Sequence, residues 1–97
     1  MTFSLDIDGC WSEDPRCFIS MLHLLRSYGH EVIIVTGREQ PMEKLQRLNI
    51  PLDIKIIVSG DRTKEKAAVD AGYAVGCWVD DAPWTISSKQ QLTGELT

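Results

Sequence analysis

The run Glu31–Val35 (EVIIV) constrains this chain most, because it is continuous in apolar, β-branched residues and breaks off at Thr36-Gly37-Arg38. A strand with one wet face alternates polar and apolar residues. An unbroken run therefore reads as a strand covered on both faces, as in a parallel sheet. Three other segments extend the pattern. Residues 3–8 (FSLDID) alternate through Phe3, Leu5 and Ile7 up to Gly9, Ile54–Val58 (IKIIV) reads as a third strand, and Ala74–Val79 (AVGCWV) as a fourth.

The stretches between these strands carry helical signals. Phe18, Met21, Leu22, Leu25 and Tyr28 recur at helical spacing, with Asp14 as N-cap, Pro15 in the first turn and Gly29 as the stop, which predicts a helix from Pro15 to Tyr28. Pro41 opens a shorter helix to about Leu48, and Lys64–Ala71 forms another, ended by Gly72. Strands alternating with helices at this pitch imply right-handed βαβ units and a three-layer α/β fold, an open parallel sheet with helices on both faces. At 97 residues the chain is expected to form a single domain, with core 1–83 and a tail at 84–97 that is a short helix or irregular.

In such a sheet the strand ends lie along one edge, where ligands bind. The four ends here deliver Asp6-Ile7-Asp8-Gly9, Thr36-Gly37-Arg38, Ser59-Gly60-Asp61 and Asp80-Asp81. Carboxylates grouped with a hydroxyl and a nearby ammonium suit a hard, oxygen-liganded cation together with a phosphoryl group. Acids this close repel one another unless a cation compensates, so the cluster itself predicts bound Mg²⁺.

SLDIDG, IIVTGR and WVDDAP, in this order and with a lysine at 64 or 66 between the last two, resemble the motifs of the haloacid-dehalogenase-like (HAD) superfamily over residues 3–83. The resemblance implies a Rossmannoid core with strand order 3-2-1-4 and a Mg²⁺-dependent phosphomonoester hydrolase that forms an aspartyl-phosphate, with nucleotides and nucleic-acid ends among its substrates. It makes Asp6 the nucleophile and Asp8 the acid and base, two residues on and on the same side of an extended strand. Thr36, with the following Gly37, would receive the phosphate, and a lysine would neutralise its charge; Arg38 reads equally as a substrate-side cation or as a solvated partner of Glu39 or Asp61. Lys64 is preferred to Lys66 because it lies nearer the start of its helix. The metal ligands implied are Asp6, the Asp8 carbonyl and Asp80, with Asp81 acting directly or through a water.

The chain departs from that family in having no cap domain: five residues separate Gly9 from Pro15. The site should then be open, suited to a large substrate, a polymer end or closure by another subunit, so an oligomer is expected to be possible. A noncatalytic binding or regulatory module of the same fold is the alternative. A phosphoacceptor receiver domain uses similar groups, but its hydroxyl and lysine follow later strands.

Other patterns read more plainly. Cys10 to Arg16 matches the CxxxxxR spacing of cysteine-dependent phosphatases, yet Glu13 and Asp14 oppose an anion there and Pro15 removes an amide. Cys10 is expected to pack beside the nucleophile, and His23 and His30 to be structural. Trp78 is expected in the core, with Trp11 and Trp84 flanking the site, able to stack on a base. A formal charge of −4 gives no duplex-binding patch. Three cysteines without a CxxC pair, no long apolar run and no leader-like start predict a reducing, cytoplasmic setting away from membranes.

Overall fold

The computed structural model describes residues 1–87. Four strands, β1 (Thr2–Leu5), β2 (Glu31–Thr36), β3 (Lys55–Val58) and β4 (Val75–Val79), form an all-parallel sheet in the order β3-β2-β1-β4. Three helices connect them, α1 (Pro15–Ser27), α2 (Met42–Arg47) and α3 (Lys64–Asp70). Element types and strand order match the sequence expectation. Among the described residues no cap is inserted between them. Residues 88–97 of the expected tail lie outside the described residues, and 84–87 comprise the end of a single turn at Pro83–Thr85 and the two residues after it.

The unbroken apolar run of β2 is explained by the two cores. Val32 and Ile34 point to one face and pack with Leu5, Leu22 of α1, Leu48 and Trp11, while Phe18, Ile19, Leu25 and Leu45 close that layer. Ile33 and Val35 point to the other face, against Ile57 and with Ala67 and Ala68 of α3. Alternate side chains of one strand thus enter opposite cores, and each large one contributes roughly 1.5–3 kcal/mol on burial. The small alanines let α3 approach the sheet closely.

Local chemistry fixes the helix ends. The Asp14 carboxylate accepts from the Cys17 amide at 3.1 Å with Pro15 in the first turn, and the Thr63 hydroxyl accepts from the Lys66 amide at 3.1 Å. Gly29, at φ +82°, turns the chain out of α1 towards β2.

Two expectations are corrected here. The first strand was expected to continue through Asp8, but it stops at Leu5. The Trp11 amide donates to the Asp6 carbonyl and the Ser12 amide to the Ile7 carbonyl, a wide turn made possible by Gly9 at φ +81°. That turn also swings Trp11 inwards. The indole was expected beside the site, but it is fully buried in the first core, stacked near Phe18 at 5.8 Å, and donates to the Leu48 carbonyl at 2.9 Å. Burying so large a ring outweighs leaving it exposed, provided its N–H finds an acceptor. Trp78 packs half-buried on the second core. His23 is exposed, and His30 sits edge-on to Phe3 at 5.1 Å, with its Nδ1 lacking a hydrogen-bond partner among the described residues.

Candidate functional site

Past the carboxyl ends of the strands lies a cleft of about 660 Å³. Asp6 reaches it from the end of β1, Thr36 and Gly37 from β2, Ser59 from β3, Lys64 from the first turn of α3, and Asp81 from the end of β4. Register explains the convergence, because parallel neighbours end side by side: Leu5 pairs with Ile34 and with Val79, and Thr36 with Val58. The Asp6 amide still donates to the Val79 carbonyl at 3.0 Å, so Asp6 leaves the sheet beside Asp80.

Lys64 organises the floor. Its Nζ lies 2.6 Å from Asp80 Oδ2 and 3.2 Å from Asp6 Oδ1, with all three side chains buried. Burial alone would lower the Lys64 pKa, but the bond to Asp80 and the charges of Asp6 and Asp80 outweigh it and hold the ammonium above its ordinary range. Asp6 shows the opposite balance: burial dominates the attraction of Lys64, Asp80 adds repulsion, and its pKa is pushed up to about 6. Lys66 points elsewhere, pairing with Asp70 at 2.7 Å on the surface. Of the two candidate lysines, it is Lys64 that meets Asp6.

The acidic pair divides its tasks. Asp80, only 2% exposed in its side chain, is taken up by Lys64 and by the Ala82 amide, which donates to Oδ1 at 2.9 Å. Asp81 is exposed and faces Asp6: oxygens of these two carboxylates and the Cys10 sulfur lie within 4.8 Å of one another. Gly9 makes room for this arrangement, since a Cβ there would run into the Asp81 carboxylate. The donors suited to a hard divalent cation are the Asp6 and Asp81 oxygens. Cys10 is a poor contributor to such an ion. Burial, followed by the charge of Asp6, pushes its thiol above the ordinary range, which also disfavours it as a thiolate nucleophile.

Asp8 lies within the turn and has partners different from those of Asp6. Its Oδ1 accepts from Lys44 Nζ at 2.6 Å and its Oδ2 from Gln40 Nε2 at 3.2 Å, while Arg38 Nε approaches Oδ2 at 3.7 Å. The bond from Lys44, against a smaller effect of burial, holds the carboxyl below its ordinary range. Arg38 itself is 78% exposed and reaches into the cleft mouth. Gln40 Nε2 also lies 3.3 Å from Thr36 Oγ1, joining the first two strand ends. Neither Lys44 nor Gln40 is legible as a site residue in the sequence. Lys44 stands on α2 and Gln40 just before it, 36 and 32 residues from the acid they bind.

Trp84 borders the cleft 66% exposed, on a turn held by the Thr85 amide to the Ala82 carbonyl and the Ile86 amide to the Pro83 carbonyl. The Ile86 carbonyl accepts from the Glu65 amide at 2.9 Å, which docks this turn on the start of α3. Arg62, though on the cleft wall, is engaged by the Ser59 and Val58 carbonyls and by Asp70. Among the described residues no helix is long and apolar enough to cross a membrane. No family model, curated protein or solved structure matches this chain.

Proposed function

We propose that the chain is a Mg²⁺-dependent phosphomonoesterase acting through an aspartyl-phosphate on Asp6. The observation that carries this reading is the meeting of Asp6, Thr36 and Asp81 from three separate strand ends, and of Lys64 from the start of α3, around one open cleft. The order of these groups along the chain, which resembles that of the HAD superfamily, supports it further. In this scheme an Asp6 oxygen bonds to phosphorus as the bond to the leaving oxygen breaks. The leaving oxygen takes a proton from Asp8 or, when it is weakly basic as in an aryl phosphate, from solvent. Asp8 as a carboxylate then takes a proton from water, the hydroxide attacks phosphorus, and Asp6 is released.

Lys64 and the Thr36 hydroxyl would receive phosphate oxygens, with Gly37 leaving the backbone open to them and Arg38 at the mouth for the rest of the substrate. Mg²⁺ fits the Asp6 and Asp81 oxygens, and the resemblance adds the Asp8 carbonyl. When bound, the ion would offset the repulsion of the carboxylates and the phosphate charge. Asp80, with both oxygens engaged, holds Lys64 in place in this scheme. The substrates are phosphorylated small molecules or polymer ends, nucleotides included, and the exposed Trp84 offers a flat surface for a ring. The test is release of phosphate from an aryl phosphate with Mg²⁺ and with EDTA. Activity requiring Mg²⁺ and abolished by Asp6→Asn is expected, whereas turnover that survives in Asp6→Asn rejects the mechanism.

One observation favours a second reading, a noncatalytic binding module. Each buried charged side chain of the floor already has a hydrogen-bond partner, Asp6 and Asp80 on Lys64, without a ligand. That module would bind phosphate or metal yet turn over nothing across a broad panel of phosphate esters.

A further inference from the structure

Two chain segments meet twice at this site. The wide turn after β1 carries Asp8 at its start and Trp11 at its end, while residues 40–48 carry Gln40, Lys44 and Leu48. At the rim, Lys44 Nζ is 2.6 Å from Asp8 Oδ1 and Gln40 Nε2 is 3.2 Å from Asp8 Oδ2. In the core, the Trp11 indole N–H donates to the Leu48 carbonyl at 2.9 Å, at the far end of the same short helix. Leu45 and Leu48 pack beside Trp11 in the first core, so the helix cannot slide while that contact holds.

From this arrangement, and resting on the phosphatase reading above, we propose that Lys44 and Gln40 are positioning residues that fix the Asp8 carboxylate at the cleft, with Trp11 setting their reach by tethering α2. Three features support it. Both oxygens of Asp8 receive a donor from a different direction, which leaves its carboxylate plane little freedom to rotate. Lys44 is only 20% exposed in its side chain, although it stands on a helix with no buried residue of its own, so its ammonium is drawn inwards and away from water. Gln40 also reaches Thr36 Oγ1 at 3.3 Å, so one amide couples the proton-transferring acid to the hydroxyl expected on the phosphate. A six-residue helix with mostly exposed side chains would be a loose support on its own. The second contact through Trp11 supplies the rigidity that positioning of a proton-transfer group demands.

Asp8 acts on protons and not on binding, so removing its support should lower kcat and leave KM alone. The experiment measures Mg²⁺-dependent hydrolysis of β-glycerophosphate, an alkyl phosphate whose basic leaving oxygen needs the proton of Asp8, by the full chain and its Lys44→Met, Lys44→Arg and Trp11→Phe variants, with Lys44→Met also placed in an Asp8→Asn background. Expected are a fall in kcat of about tenfold or more in Lys44→Met with KM within about twofold, partial recovery in Lys44→Arg, and a smaller fall in Trp11→Phe. In Asp8→Asn, adding Lys44→Met should change kcat by less than about twofold, because the residue acts through Asp8. Wild-type turnover with kcat unchanged in Lys44→Met overturns the positioning role, as does an equal loss in both backgrounds. Absence of turnover by the wild-type chain instead retires the phosphatase reading, and with it the catalytic meaning of this contact.

Discussion

Asp6 stands under opposing demands: the proposed nucleophile must be ionised, yet its burial favours the proton. With its carboxyl pushed up to about 6 from 3.8, the folded chain keeps a proton in a pH range where the unfolded chain has lost it. Stability from this group is therefore fully present below about pH 4 and declines as pH rises towards 6, the reverse of the usual salt-bridged aspartate. A shift of about two units corresponds to something on the order of 3 kcal/mol. Denaturant unfolding in EDTA between pH 4 and 7 checks it: the wild type should lose stability relative to Asp6→Asn across that interval, and parallel profiles would refute the assignment. Asp8 behaves in the ordinary sense. Lys44 holds its pKa down, so what it contributes is present above about pH 4 and lost as pH falls further.

At the scale of elements, the helices are asymmetric in purpose. α1 is a packing element whose Leu22 is wholly buried, while α3 is the mount for Lys64. Both begin with a side-chain cap, worth about 1 kcal/mol each. Asp14→Ala and Thr63→Ala should then lose similar stability in thermal or denaturant unfolding. Turnover is expected to separate them: loosening the start of α1 leaves the site intact, whereas loosening the start of α3 frees Lys64 from Asp6 and Asp80 and lowers kcat. Equal activity in the two variants would show that the lysine is held by its ion pairs alone. The edge strand β3 has Val58 partly exposed, and the sheet ends at β4 on the other side among the described residues.

For the whole molecule, the sheet edge acts as a collector of groups drawn from across the sequence, and a bound ion would join the strand ends that supply them. Mg²⁺ at about one hundred times its Kd would stabilise the folded chain by about 2.7 kcal/mol, a rise in Tm on the order of 10 °C for a domain of this size. EDTA should reverse it and Asp81→Asn should remove most of it; a Tm indifferent to Mg²⁺ in the wild type would count against the metal site. The sequence by itself determined the parallel sheet and the gathering of its strand ends along one edge, because hydrophobic period, helix caps and parallel register act locally or through the regular geometry of strands, while the strand order and the assignment of a lysine to the site came from the motif resemblance. Tertiary structure alone decided that Trp11 enters the core, that Asp80 and Asp81 face different partners, and that Lys44 reaches Asp8. Those outcomes depend on where a tight turn aims a side chain and which distant group has room to meet it, and neither quantity has a period or spacing for a linear sequence to display.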